Sequence, residues 1–310
     1  MIISASRRTD VPAFYSRWFM KRIEAGYCDV PNPFNPKQVS QVSLKPEDVD
    51  VIVFWTRNAS PLLHRLEELE RNGYRTLFLY TLMDNPRPMD PRCPSLEKAL
   101  ATFKALSDRI GPGRITWRYD PMVFSNATPP DFHRKTYEEI SRHLRGYTSR
   151  SIISVVNIYK KARQRLSGLR EKGIEVMERE EKAFGELMGF MAAVARDRGM
   201  ALSSCAQAKD LTGYGVLPGK CIDDGQIREV FGLEVNHAKD PSQRKACRCV
   251  VSKDIGMYDT CLYGCAYCYA TTSFDKAKEN YRRHDPASPA LVAPLALQEE
   301  NPRIQEETIV

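Results

Sequence analysis

Apolar residues along the chain fall into six short runs, Ile2–Ser6, Val49–Trp55, Thr76–Met83, Arg114–Tyr119, Ser151–Val156 and Met200–Ser204. Each run ends in polar or charged residues, and stretches with helical spacing separate them. Runs that are apolar almost without interruption suit strands covered on both faces, and their alternation with helices argues for a parallel α/β sheet. Helices are expected over about Phe14–Ala25, Ser60–Arg71, Ser95–Arg109, Asp131–Leu144 and Glu178–Arg198, with Asn72-Gly73 and Gly199 as stops. The proline-rich segments C-D-V-P-N-P-F-N-P, from Cys28, and N-P-R-P-M-D-P-R-C-P, from Asn85, read as loops. No G-x-G-x-x-G or P-loop pattern follows the first run, which weighs against a nucleotide-binding open sheet and for a barrel-like closure.

Composition adds little. The 310 residues are 42% hydrophobic and 27% charged, ordinary for a soluble protein that buries a substantial core. No apolar run approaches a membrane span, and M-I-I-S-A-S-R-R is too short and too soon charged for a signal peptide. The expectation is a cytoplasmic protein with no membrane partner. A net charge of +7 fits a nucleic-acid or other anionic substrate, and fits a solvated surface equally well. A small-molecule and a nucleic-acid substrate therefore both stay open. Neither G-x-S-x-G nor H-E-x-x-H occurs, and Glu178, Glu180 and Glu181 sit among Arg and Lys as on a solvated helix face.

The cysteines change the picture. Five of nine lie between Cys247 and Cys268, and Cys261, Cys265 and Cys268 form C-x3-C-x2-C with Gly264 and Tyr267 inside it. Thiolates so close in sequence converge on one ion or cluster if the loop curls, and glycine permits the tight turn. In an intracellular chain such a group points to metal or catalysis rather than disulfides. Structural zinc takes four closed ligands, whereas three cysteines on a 4Fe–4S cluster leave one iron open. The residues C-L-Y-G-C-A-Y-C resemble the radical S-adenosylmethionine signature, C-x3-C-x-aromatic-C, and the ending C-A-Y-C-Y-A resembles its spore photoproduct lyase type. With its S-R-R-T-D start, the chain over about residues 1 to 285 also resembles a bacterial family of unassigned function whose cysteine group has been likened to that superfamily. Most of the superfamily carries the motif just after the first barrel strand; here it lies near the C-terminus.

The resemblance implies a 4Fe–4S cluster on Cys261, Cys265 and Cys268, with S-adenosylmethionine on the open iron and Tyr267 near its adenine. It also implies radical chemistry started by reductive cleavage, fed by a reducing donor such as flavodoxin or ferredoxin. The superfamily's six-stranded scaffold agrees with the six runs. The expected fold is therefore a partial (β/α)6 TIM-like barrel over 1–209, with a cysteine-rich subdomain over 210–283 closing its mouth and a flexible tail over 284–310. Active sites of α/β barrels lie at the C-terminal strand ends. Arg8, Asp10, Arg118 and Asp120 are the candidate catalytic residues there, and Tyr267, Asn157, Arg57 and Asn58 the candidate cofactor contacts; Asp84, Gln207 and Lys209 end neighbouring runs. Cys205, Cys221, Cys247 and Cys249 suit a second 4Fe–4S cluster, a zinc ion or plain buried thiols. Cys28 and Cys93 read as unliganded. Two further readings of the whole chain are a non-radical iron–sulfur or electron-transfer protein, and a zinc-braced module that binds nucleic acid or protein.

Overall fold

The computed structural model of the protein describes residues 1–35 and 37–293. Its strands are β1 (Ile2–Ala5), β2 (Tyr27–Pro31), β3 (Val39–Ser43), β4 (Val51–Thr56), β5 (Thr76–Thr81), β6 (Ile115–Met122), β7 (Arg150–Val155), β8 (Ala201–Cys205), β9 (Leu217–Gly219) and β10 (Lys253–Asp254). All six apolar runs are strands. They lie in one parallel eight-stranded sheet of order β10-β1-β4-β5-β6-β7-β8-β9. From β1 to β9 each strand of this sheet lies beside the one before it in the chain, without the reversal of order that marks a doubly wound sheet. The fold class is α/β.

Side chains of successive strand residues point to opposite faces, and here both faces are buried. One face, with Ile3, Ala5, Ile52, Phe54, Phe78, Tyr80, Trp117 and Tyr119, packs into the main core. Helical residues such as Trp18, Phe19, Phe103, Tyr137, Leu187 and Met191 belong to the same core. The other face, with Ile2, Val51, Val53, Leu77, Leu79 and Ile152, packs on Ile222, Ile227, Val235 and Val250 and on four cysteines. The segment after residue 210 therefore covers the sheet face turned away from the main core, and it also supplies edge strands β9 and β10.

Two expectations need correction. The segment from Cys28 is not only loop: β2 and β3 form an antiparallel hairpin, with Pro31 at the last paired position, where a missing N–H costs least. Residues 284–293 are not a flexible tail. Trp18 Nε1 donates to the Ser288 carbonyl (3.0 Å), Arg22 Nη2 to that of Ala287 (2.9 Å), and Leu291 is buried. The rest of that tail, 294–310, lies outside the described residues. Among the described residues no helix is long and apolar enough to cross a membrane.

His133 sits fully buried on the helix Pro130–Leu144, its Nδ1 paired with Tyr119 Oη (2.9 Å) and its Nε2 near the Val123 carbonyl (3.2 Å). Burial pushes its pKa down to about 4. The unfolded chain, with an ordinary histidine near 6.5, then binds the proton more readily, so this contribution to stability falls as pH drops from 6.5 to 4. At about 1.4 kcal/mol per pK unit the loss reaches about 3 kcal/mol. Denaturant titrations across that window should show the wild type losing this much more stability than His133→Gln; equal slopes would contradict the buried neutral imidazole.

Candidate metal centre

The motif loop reverses at Gly264, whose φ of +74° suits glycine, and Arg165 holds it from behind. Arg165 comes from the helix Lys160–Gly168. Its Nε donates to the Ala266 carbonyl (3.2 Å), its Nη1 to Thr271 (2.9 Å) and its Nη2 to Cys268. From the front, the proline-rich loop after β5 meets the motif: Ala266 N–H donates to the Met89 carbonyl (2.9 Å), and Arg92 Nε to that of Leu262. Cys261, Cys265, Cys268, Tyr263 and Tyr267 thereby pack into one small core with Met89, Cys93 and Val123.

Beside this loop lies a buried polar network. Tyr267 Oη donates to Asp90 (2.7 Å) and accepts from Arg57 Nη2 (2.5 Å) and Asn85 Nδ2 (3.4 Å). Arg57 Nη1 reaches Asp90 Oδ2 and Cys93 Sγ, both at 3.4 Å. Cys93 Sγ lies 3.8 Å from Cys265 Sγ, and Asp90, Cys93 and Cys265 together form a three-donor group suited to a metal ion. Contact with Cys93, then burial, raises the Cys265 pKa; burial, then the charge of Cys268, raises that of Cys261. Asp10 caps the short helix after β1, accepting the N–H groups of Ala13 (3.0 Å) and Arg57 (2.6 Å). Burial lifts its pKa to about 7, and its charge is felt at Cys261 and Tyr263.

The expected site residues thus divide. Asp10, Arg57, Tyr267 and the three motif cysteines come together. Tyr267 is buried and its hydroxyl is committed to Asp90 and Arg57, so that hydroxyl is not offered to a ligand at the mouth. Asn58 Oδ1 accepts Ser60 N–H (3.0 Å), the work of a turn residue before a helix. Arg8 faces the 254–258 segment, donating to the Gly256 carbonyl (3.2 Å) and lying 5.3 Å from the Tyr258 ring centroid. Asn157 is exposed in the loop after β7. Arg118 and Asp120 pair with each other, and Ser154 Oγ donates to Asp120.

Arg118 faces the second cysteine group. Its guanidinium lies 4.7 Å from the Trp55 ring centroid, with Arg7 at 5.2 Å from the same ring. Cys205 Sγ and Cys221 Sγ are 3.2 Å apart, and Cys249 Sγ accepts Ile222 N–H (3.4 Å). Hydrogen bonds from Cys221 and Cys247, and then the nearby Arg7 charge, push the Cys249 thiol pKa down.

Sequence reasoning missed Asn85, Asp90, Cys93, Arg165 and Asp254. Asp254 accepts Ser4 Oγ, Ser6 Oγ and Arg7 N–H, each at 2.8 Å, and so fixes the residues leaving β1. Cys93 was expected to stand alone, and its place beside Cys265 corrects that reading. One signal was available for it: D-P-R-C-P puts an acid and a thiol in one constrained loop after a strand end.

Residues 2–270 match the model of a family described as a domain of unknown function (DUF1848). The chain belongs to that family. The matched span contains all nine cysteines and all ten strands. No curated protein matches the chain. Among solved structures, a D-hydantoinase crystal structure is similar at 14% identity over 52% of this chain and 35% of its own, with a TM-score of 0.27. The chain spans about a third of that enzyme's length, and so low a score carries no argument.

Replacing Arg165 with alanine removes the donor from four carbonyls in and just after the motif, those of Ala266, Cys268, Thr271 and Thr272. Hydrogen bonds to a charged group contribute about 1.5–3 kcal/mol each, so amide protection at Ala266 and Cys268 should fall tenfold or more. Hydrogen exchange by mass spectrometry reads this directly; unchanged protection would mean the loop holds itself.

Proposed function

We propose that this chain is an iron–sulfur enzyme of the radical S-adenosylmethionine type, on a parallel sheet curved into a partial barrel. One observation carries the reading. Cys261, Cys265 and Cys268 share one largely buried loop, pinned beside Asp10, Arg57 and Asp90, which follow the C-terminal ends of β1, β4 and β5. In parallel α/β folds that end of the sheet is where sites form. The unreversed strand order and the filling of the second sheet face support the barrel.

The donor set suits the group. Three soft thiolates within eight residues, in a water-poor pocket beside a fixed cation, fit a 4Fe–4S cluster with one iron left open. Cys261, Cys265 and Cys268 would hold it. With S-adenosylmethionine bound, such a cluster supplies a one-electron cleavage that starts hydrogen-abstraction chemistry. The chain's own groups do the rest. Arg57 keeps a positive charge beside Cys93 and Cys265, offsetting thiolate charge where water is scarce. Asp10, titrating near 7, can hold or release a proton beside Cys261. Arg165 fixes the loop, and Asn157, exposed after β7, is a polar group available to a substrate.

Cys93 favours a second reading. Its sulfur, 3.8 Å from that of Cys265, is placed to act as a fourth ligand, which would close the cluster and leave an electron-transfer protein. Anaerobic reconstitution, reduction and addition of S-adenosylmethionine separate the two. The radical reading expects 5′-deoxyadenosine from the wild type and from Cys93→Ser, and none from Cys265→Ser. An intact, reducible cluster that yields no product, with a cluster spectrum altered by Cys93→Ser, would replace it with the second reading.

A further inference from the structure

We infer that Cys205, Cys221, Cys247 and Cys249 form a second, closed centre, a 4Fe–4S cluster held by four thiolates with Arg7 and Arg118 as its charge partners. The inference is separate from the proposed function, because it uses none of Cys261, Cys265 and Cys268.

The four thiols come from distant parts of the chain: the end of β8, the turn after β9, and the loop that leads to β10. All are buried in one cluster, with Cys205 Sγ and Cys221 Sγ 3.2 Å apart and Cys249 Sγ accepting the N–H of Ile222, next to Cys221 (3.4 Å). Cysteines used as small apolar fillers do not need each other, and they do not draw cations. Here two guanidinium groups are buried against them. Arg7, with its side chain 10% exposed, donates to Ser252 Oγ (3.1 Å) and lies within electrostatic reach of Cys249 and Cys221; Arg118 lies within the same reach of Cys205 and Cys221. Arg118 is met by Asp120 and Arg7 stands 4.0 Å from Asp240, and four thiolates around a metal core would give both cations a further anion.

Two unsatisfied donors distinguish the kind of core. Arg7 Nη2 and Arg118 Nε are buried without a hydrogen-bond acceptor among the described residues; Asp240 Oδ2, itself buried and unpartnered, lies 4.0 Å from Arg7 Nη2. A zinc ion brings no acceptor beyond the four sulfurs already present. An iron–sulfur core adds sulfides that accept N–H groups, and such bonds tune its potential. Arg7 and Arg118 both pack on the Trp55 ring, and Tyr269, directly after the motif, donates its Oη to the Arg7 carbonyl (2.6 Å).

The test is made on full-length protein purified without oxygen. The triple variant Cys261→Ser, Cys265→Ser, Cys268→Ser is expected to keep about four irons and four sulfides per chain, with visible absorption. In the reciprocal variant, Cys205→Ser with Cys249→Ser, iron should drop by about four per chain while the spectrum of the motif centre persists. Arg118→Gln, which removes the positive charge, should leave the iron content unchanged and make the reduction potential of the second centre more negative. A colourless triple variant carrying about one zinc, or one that folds with no metal, overturns the inference. If the triple variant does not fold, the reciprocal variant decides: iron content equal to wild type overturns it as well. An unmoved potential in Arg118→Gln removes the charge-partner role.

Discussion

The arrangement depends on one buried ion pair with a phenol attached: Arg57, Asp90 and Tyr267. Arg57 leaves β4, Asp90 sits in the loop after β5, and Tyr267 lies inside the cysteine motif more than two hundred residues from Arg57. A buried cation or carboxylate left alone would cost several kcal/mol, so each segment is held where the others need it. Asp10 joins from β1 by accepting the Arg57 backbone N–H. The motif loop is thereby fixed to the sheet by paired polar groups, and apolar packing around Met89 and Val123 completes the contact.

The same logic recurs on the other thiol group. Arg7 and Arg118 flank Trp55 and reach toward Cys249, Cys205 and Cys221, while Asp254 holds the backbone from which Arg7 projects. Cations meet sulfur at both sites. Carboxylates meet the same cations, Asp90 at Arg57, Asp120 at Arg118 and Asp240 4.0 Å from Arg7, which lets basic strand ends lie in a partly closed interior.

Much of the fold was legible because its strands are buried on both faces. Runs such as Val51–Thr56 and Thr76–Thr81 carry no polar alternation that could be mistaken for another element. Their ends shifted by a few residues, as at Met122, where Pro121 lies inside β6. The hairpin β2–β3 was hidden by prolines, since a strand ending in Pro31 has the composition of a loop. That the motif cysteines share one packed loop was legible from their spacing. Cys93, Asp90 and Arg165 were not, because only the folded chain brings residues so far apart in sequence to one loop. Arg118 was legible as a strand-end cation, but its partner was not: the thiols it faces follow 87 to 103 residues later, at Cys205 and Cys221.

The central claim is a 4Fe–4S cluster held by Cys261, Cys265 and Cys268 with its fourth iron left open. Electron paramagnetic resonance of the reduced, anaerobically prepared protein tests it most directly, with and without S-adenosylmethionine labelled at its amino nitrogen. The account predicts a changed spectrum with a resolved coupling to the label. A spectrum that ignores the cofactor, yet changes when Cys93 is replaced, would contradict it.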